Sequence, residues 1–195
     1  MLQEELIQSI EERAWIDRAA DPVQDAVHGI LDRAPGLAAF LHGRWLGHPL
    51  HAAMVSIPVG AWATALVLDG LAARNRRYRK AADTVTAVGL AGAALAVLPG
   101  LADWSDTRGG AKRVGFVHAA LNTVIAGVCG ASLYARARGR RKVGVGLSIA
   151  GYTMAIASAW LGGELAFRYA VGVRPQPEGR AEVRETAYPA AEARP

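Results

Sequence analysis

The chain has 195 residues, 52% of them hydrophobic, a formal net charge of +5 and one cysteine, Cys129. A single cysteine excludes a disulfide framework and a four-cysteine metal site within one chain. The positive charge does not argue for nucleic acid as a partner: the basic residues gather in short loops between long apolar stretches, where membrane topology accounts for them.

Residues 1–46 read as a peripheral amphipathic helical arm. Leu2, Leu6, Ile10 and Ile16 recur at roughly helical spacing over residues 1–20, among glutamates and arginines. The opening MLQEELIQSIEER is acidic and has no apolar core, so it does not read as a cleavable signal. Asp21-Pro22 has the pattern of an N-cap followed by proline at the first helical position. It predicts a second helix with Val23, Ala26, Val27, Ile30 and Leu31 on one side, stopped by Ala34-Pro35-Gly36. A third apolar patch, 37–45, leads into the first long stretch. The arm is expected to lie on a membrane surface or to cap a bundle of the longer helices.

From 47 onward the pattern is that of an all-α, four-transmembrane-helix bundle over residues 47–173, with spans at about 49–73, 81–102, 114–136 and 143–168. In the first, 17 uncharged residues separate His51 from Asp69, and Pro49 suits the first helical position. His51 and Asp69 are five helical turns apart and project from one face, together with Val55, Pro58, Trp62 and Ala65. Small residues at four-residue spacing predict the contact seams: Gly89 and Ala93; Gly127 and Ala131; Gly151, Ala155, Ala159 and Gly163. The loops after the first and third spans carry five Lys or Arg each (Arg74, Arg76, Arg77, Arg79, Lys80; Arg136, Arg138, Arg140, Arg141, Lys142), against three between the second and third. Those two loops are therefore expected on the cytoplasmic side, with both termini outside. Residues 174–195, rich in Pro, Glu, Arg and Ala, are expected to be disordered.

With this topology, His48, His51, Asp103, His118 and Glu164 fall near the outer boundary, on all four spans. Imidazoles and carboxylates converging from separate helices suit a transition metal, with these five as its candidate ligands; two facing imidazoles, His51 and His118, suit a b-type haem. The alternative is a structural polar network. His118, Asn122, Cys129, Ser132 and Arg136 form a polar stripe on one face of the third span, which either fixes packing or carries protons or ions toward Asp69 and Asp83. The two aspartates are expected to pair with the arginines of the 74–80 loop. Trp62, Trp104 and Trp160 read as interfacial or packing residues. No HExxH or GxSxG is present, and the glycines of DTRGGAKR and LGGEL lack a preceding strand and P-loop spacing, so no catalytic residues are assigned.

GHPLH (47–51), IPVG (57–60), Asp69, GLADWSDTRGGAKRVGFVHAALN (100–122) and GGELAFRYAVGV (162–173) resemble a bacterial family of predicted four-helix inner-membrane proteins of unknown function. The resemblance implies a multi-pass inner-membrane protein with histidines gathered at one end. Some relatives carry the domain beside a Rieske iron–sulfur domain, which implies a redox setting and a redox membrane partner. In that family the position of Glu164 is often histidine; a site here would rest on His51 and His118, with Glu164 as ligand or hydrogen-bond acceptor. Three readings result: a redox-associated membrane protein holding haem b or a metal, a non-catalytic scaffold or subunit, and a small proton or ion conductor.

Overall fold

The structure, a computed structural model, describes residues 2–173, so the expected disorder of 174–195 lies outside the described residues. Seven α-helices and one 3₁₀ turn make up the fold, with no strand among the described residues: α1 (Leu2–Glu11), the 3₁₀ turn (Ala14–Ile16), α2 (Asp17–Leu31), α3 (Pro35–Leu41), α4 (Leu50–Arg74), α5 (Tyr78–Ser105), α6 (Gly109–Ala137) and α7 (Arg141–Phe167). Helices α4 to α7 are 25, 28, 29 and 27 residues long and apolar enough to cross a membrane. At about 1.5 Å per residue each exceeds a hydrocarbon layer of about 30 Å, leaving its end turns for the headgroup region. Large apolar side chains such as Val67, Leu95, Leu98 and Ile156 point outward and stay exposed. Lipid, not water, is the solvent that suits them.

The four long helices form two antiparallel hairpins, α4–α5 and α6–α7, which meet along α5–α6 and α4–α7. α4 and α6 are therefore diagonal partners across the centre. The hairpin seams are built from small residues. On α5 the buried positions include Ala82, Thr86, Gly89, Gly92, Ala96 and Pro99; on α7 they are Gly144, Ser148, Gly151, Ala155, Ser158, Leu161 and Leu165. A Cβ added at Gly89 would run into the Trp62 indole, and one at Gly151 would sit 3.1 Å from Cys129 Sγ.

The seams differ from the four-residue spacing expected. Gly127 and Ala131 face outward and Ala159 is exposed, while Ser158 takes the inner position. A strict step of four drifts about 40° around a helix of 3.6 residues per turn, so the face in contact follows alternating steps of three and four instead. On α6 the inward face is Ile125, Cys129, Ser132 and Arg136.

The arm also departs from its expected boundaries. Pro22 lies inside α2, which begins at Asp17, and the break falls at the 3₁₀ turn instead. Pro22 leaves the carbonyl of Arg18 without its helical donor, but both residues are exposed, so water can take the place of the missing amide. Pro35 opens α3 at its first turn and thus starts a helix as well as ending one. Pro49 is the N-cap of α4, with extended ψ of 126°, and not its first helical residue. The arm caps one end of the bundle: Ile7, Ile10 and Ile16 pack with Val114, Leu161 and Leu165, and Leu31 and Leu41 pack with Ala102.

Replacing Gly89 by alanine should overpack the α4–α5 seam and lower stability by roughly 1–3 kcal/mol. Gly127→Ala, with nothing within 4 Å of the added Cβ, should cost no stability. Thermal unfolding in detergent distinguishes the two.

Candidate functional site

Polar side chains enter the bundle at both ends, and in each case the diagonal helices α4 and α6 supply the central pair. At the end capped by the arm, His51 and His118 meet with ring centroids 6.5 Å apart and planes at 86°. Each ring is anchored within its own hairpin. His51 Nδ1 lies 2.9 Å from the Ala96 carbonyl oxygen on α5. His118 Nδ1 lies 3.0 Å from the Ser158 carbonyl oxygen on α7, with Ser158 Oγ at 3.1 Å. A carbonyl oxygen only accepts, so Nδ1 carries the proton in both rings and Nε2 presents a lone pair in the neutral imidazole. That is the tautomer a metal-ligating histidine adopts when its other nitrogen donates to a carbonyl.

Glycines make room for the rings. A Cβ at Gly100 would stand 2.7 Å from His51 Nδ1 and 2.9 Å from its Cε1, and one at Gly162 would stand 3.2 Å from His118 Cε1. The Nδ1–Cε1 edges thus lie against α5 and α7. His51 Nε2 has no hydrogen-bond partner among the described residues. His118 Nε2 accepts from Asn122 Nδ2 at 3.1 Å, and the same amide donates to the His118 carbonyl at 3.0 Å.

The other three candidate ligands sit elsewhere. His48 is exposed. Glu164 lines a surface recess with Gln3, Glu4 and Arg168. Asp103 is bonded to His42, whose Nδ1 is 2.9 Å from its Oδ1. Among the described residues no three His, Cys, Asp or Glu side chains gather as a metal ion would require. The five-residue ligand set is not assembled; the histidine pair is.

At the opposite end Asp69 and Asp83 do pair with arginines, but not through side chains of the 74–80 loop. Arg136 reaches Asp69 at 2.9 and 2.5 Å and Asp83 at 2.8 Å, and Arg141 reaches Asp69 at 2.7 Å and Asp83 at 3.0 Å. Arg136 also donates to Ser132 Oγ and Ser148 Oγ at 3.1 and 2.8 Å. α6 and α7 thereby bring their arginines onto the carboxylates of α4 and α5, tying hairpin to hairpin. Cys129, expected in the polar stripe on α6, instead packs with Ile125, Trp62 and Ala155 in an apolar cluster that separates Asn122 from Ser132. The indole nitrogen of Trp62, buried there, has no hydrogen-bond partner among the described residues. Removing Arg136 should leave two carboxylates under-compensated: Arg136→Leu should cost roughly 3–5 kcal/mol, while the double variant with Asp69→Leu should recover part of the loss in the same unfolding measurement.

The arm is clamped onto the bundle by charge. Arg113 holds the Asp17 carboxylate at 2.6 Å, and that guanidinium, with Lys112, lowers the Asp17 pKa to about 2. Gln24 donates to the carbonyls of Trp104, Ser105 and Thr107, the last at 3.0 Å, capping the end of α5. His28 lies 3.4 Å from Asp106, and His42 sits between Asp103 and Asp106. Gly43, at φ +70°, makes the tight turn after His42, where a Cβ would strike the His48 carbonyl. Nothing in the sequence singles out these two histidines; their spacing marks no motif, and only the docking of the arm gives them partners. The hydrogen bond to Asp103 raises the His42 pKa above its ordinary 6.5, against the opposing effect of burial. A raised folded-state pKa contributes stability that is complete below about 6.5 and is lost as pH rises through the raised value. Hydrogen-exchange protection factors over residues 17–45 should therefore be higher at pH 6 than at pH 8.5, and His42→Gln should flatten the difference.

Comparison with curated proteins and with solved structures gives no match. The family described as "Predicted membrane protein (DUF2231)" matches residues 47–175, which takes in all four long helices and both polar ends and leaves the arm outside. The chain belongs to this family of predicted membrane proteins.

Proposed function

We propose that this membrane protein holds a b-type haem between His51 and His118 and serves a redox role. The observation that carries the reading is the pair itself: two imidazoles 6.5 Å apart on diagonal helices, each with Nδ1 committed to a backbone carbonyl. Two imidazoles sharing one metal at about 2 Å from each nitrogen have ring centres roughly 6 Å apart. Two nitrogens leave a bare ion short of ligands, whereas a porphyrin brings four nitrogens of its own. When bound, the group supplies one-electron exchange. The chain's part is to hold both rings in the ligating tautomer through Ala96 and Ser158, and to keep mid-membrane water out with Trp62, Ile125 and Cys129. The basic loops 74–80 and 136–142 support placement in a bacterial inner membrane with both termini outside the cytoplasm. A redox partner of the Rieske class is the one that the family resemblance implies.

Expression with haem supplied, purification in detergent and a reduced-minus-oxidised visible spectrum test the reading. The expected result is a bis-imidazole spectrum, abolished by His51→Ala and by His118→Ala and retained in His42→Ala. A colourless, haem-free wild-type protein would overturn it and leave a non-catalytic membrane scaffold or a small proton or ion conductor.

A further inference from the structure

The two hairpins are copies of one pattern. His51-Ala52-Ala53-Met54-Val55-Ser56-Ile57 on α4 corresponds to His118-Ala119-Ala120-Leu121-Asn122-Thr123-Val124 on α6, a separation of 67 residues that also relates Trp62 to Cys129 and Asp69 to Arg136. On α5 and α7 a separation of 62 relates Gly89 to Gly151, Ala96 to Ser158 and Gly100 to Gly162. The relation is structural as well. Each histidine bonds the carbonyl of the corresponding residue (Ala96 or Ser158) and lies over the corresponding glycine (Gly100 or Gly162). α4 and α6 run in the same sense, so the copies are parallel repeats facing each other across the bundle's centre.

One residue breaks the equivalence beside the rings. Four residues after His51 stands Val55, which has no side-chain donor. Four residues after His118 stands Asn122, whose amide caps the Nε2 lone pair. We infer that Asn122 is a gate on the histidine pair: it holds His118 Nε2 in the unliganded protein and must be displaced before a group can bind both imidazoles. The gate rests on the haem reading of the same pair. Displacement is cheap, because the amide keeps its bond to the His118 carbonyl. His51, uncapped, is the imidazole open to the first contact, and the second bond waits on Asn122.

The test is titration of hemin into haem-free protein in detergent, for wild type and for N122V and V55N, with the ¹⁵N resonances of the histidine Nε2 atoms recorded before hemin is added. N122V puts into the second repeat what the first already carries. It should bind hemin roughly threefold to tenfold more tightly, about the value of one hydrogen bond, and the His118 Nε2 resonance should move as its donor is lost. V55N places an amide beside His51 and should weaken binding by a similar factor, which keeps the proposal testable if N122V does not fold. Hemin binding that is equal or weaker in N122V, or unchanged in V55N, overturns the gate while leaving the haem reading in place. No binding in wild type or in either variant brings down the haem reading, and the gate with it.

Discussion

The bundle depends on one contact: the Arg136 guanidinium, almost wholly buried, bonded to the equally buried Asp69 carboxylate. A charge inside a bilayer is tolerated only where it faces protein and finds its opposite. Here four charges from four helices meet, with Asp69 and Asp83 on one hairpin and Arg136 and Arg141 on the other. Either hairpin alone would expose uncompensated charge to lipid, so the cluster fixes which faces come together and at what depth. Helices in lipid gain little from hiding apolar surface from each other. Charge complementarity between hairpins therefore specifies what small-residue packing only permits.

Within each hairpin the constraint is steric. The Trp62 indole lies where a Cβ at Gly89 would be, and the histidine rings crowd the places that Cβ atoms at Gly100 and Gly162 would take. Glycine at these positions lets a large planar side chain lie close against a helix backbone. The rings are thereby held by backbone carbonyls on the neighbouring helix, and that choice of acceptor fixes their tautomer.

Much of this is legible in the sequence, and the parts that are not share a cause. Hydropathy and loop charge delimit the four spans, because a backbone in lipid has few alternatives to a helix. The meeting of His51 and His118 is legible because the few ionisable residues on an apolar helix point inward. The partners of Asp69 and Asp83 are not, because proximity in sequence favours loop arginines, whereas in a bundle the nearest charge in space comes from another hairpin. Gly127 and Ala131 do not form a seam because small residues serve lipid-facing surfaces as well. The repeat of His-Ala-Ala at 51 and 118 stands in plain view, yet four spans read singly do not show that they are two copies of two. The arm's break at the 3₁₀ turn is hidden because Asp21-Pro22 has the pattern of a helix start, whereas α2 runs through it with the Arg18 carbonyl left to water.

The two polar ends of the bundle are built from corresponding positions yet differ in what it costs to separate them. At one end the corresponding positions carry Asp69 and Arg136, and separating them would strand charge in a low dielectric, so that end is locked. At the other, histidine stands against histidine, both with Nδ1 spent on a carbonyl, and among the described residues the one side-chain amide on the pair is that of Asn122, donating to His118 Nε2. Breaking that bond forfeits roughly 1 kcal/mol, where opening the ion cluster forfeits several. The arm, through the Asp17–Arg113 ion pair and the packing of Ile7, Ile10 and Ile16 on Val114, Leu161 and Leu165, fastens the histidine end from outside the four long helices, so the register between the hairpins is set by the buried ion cluster.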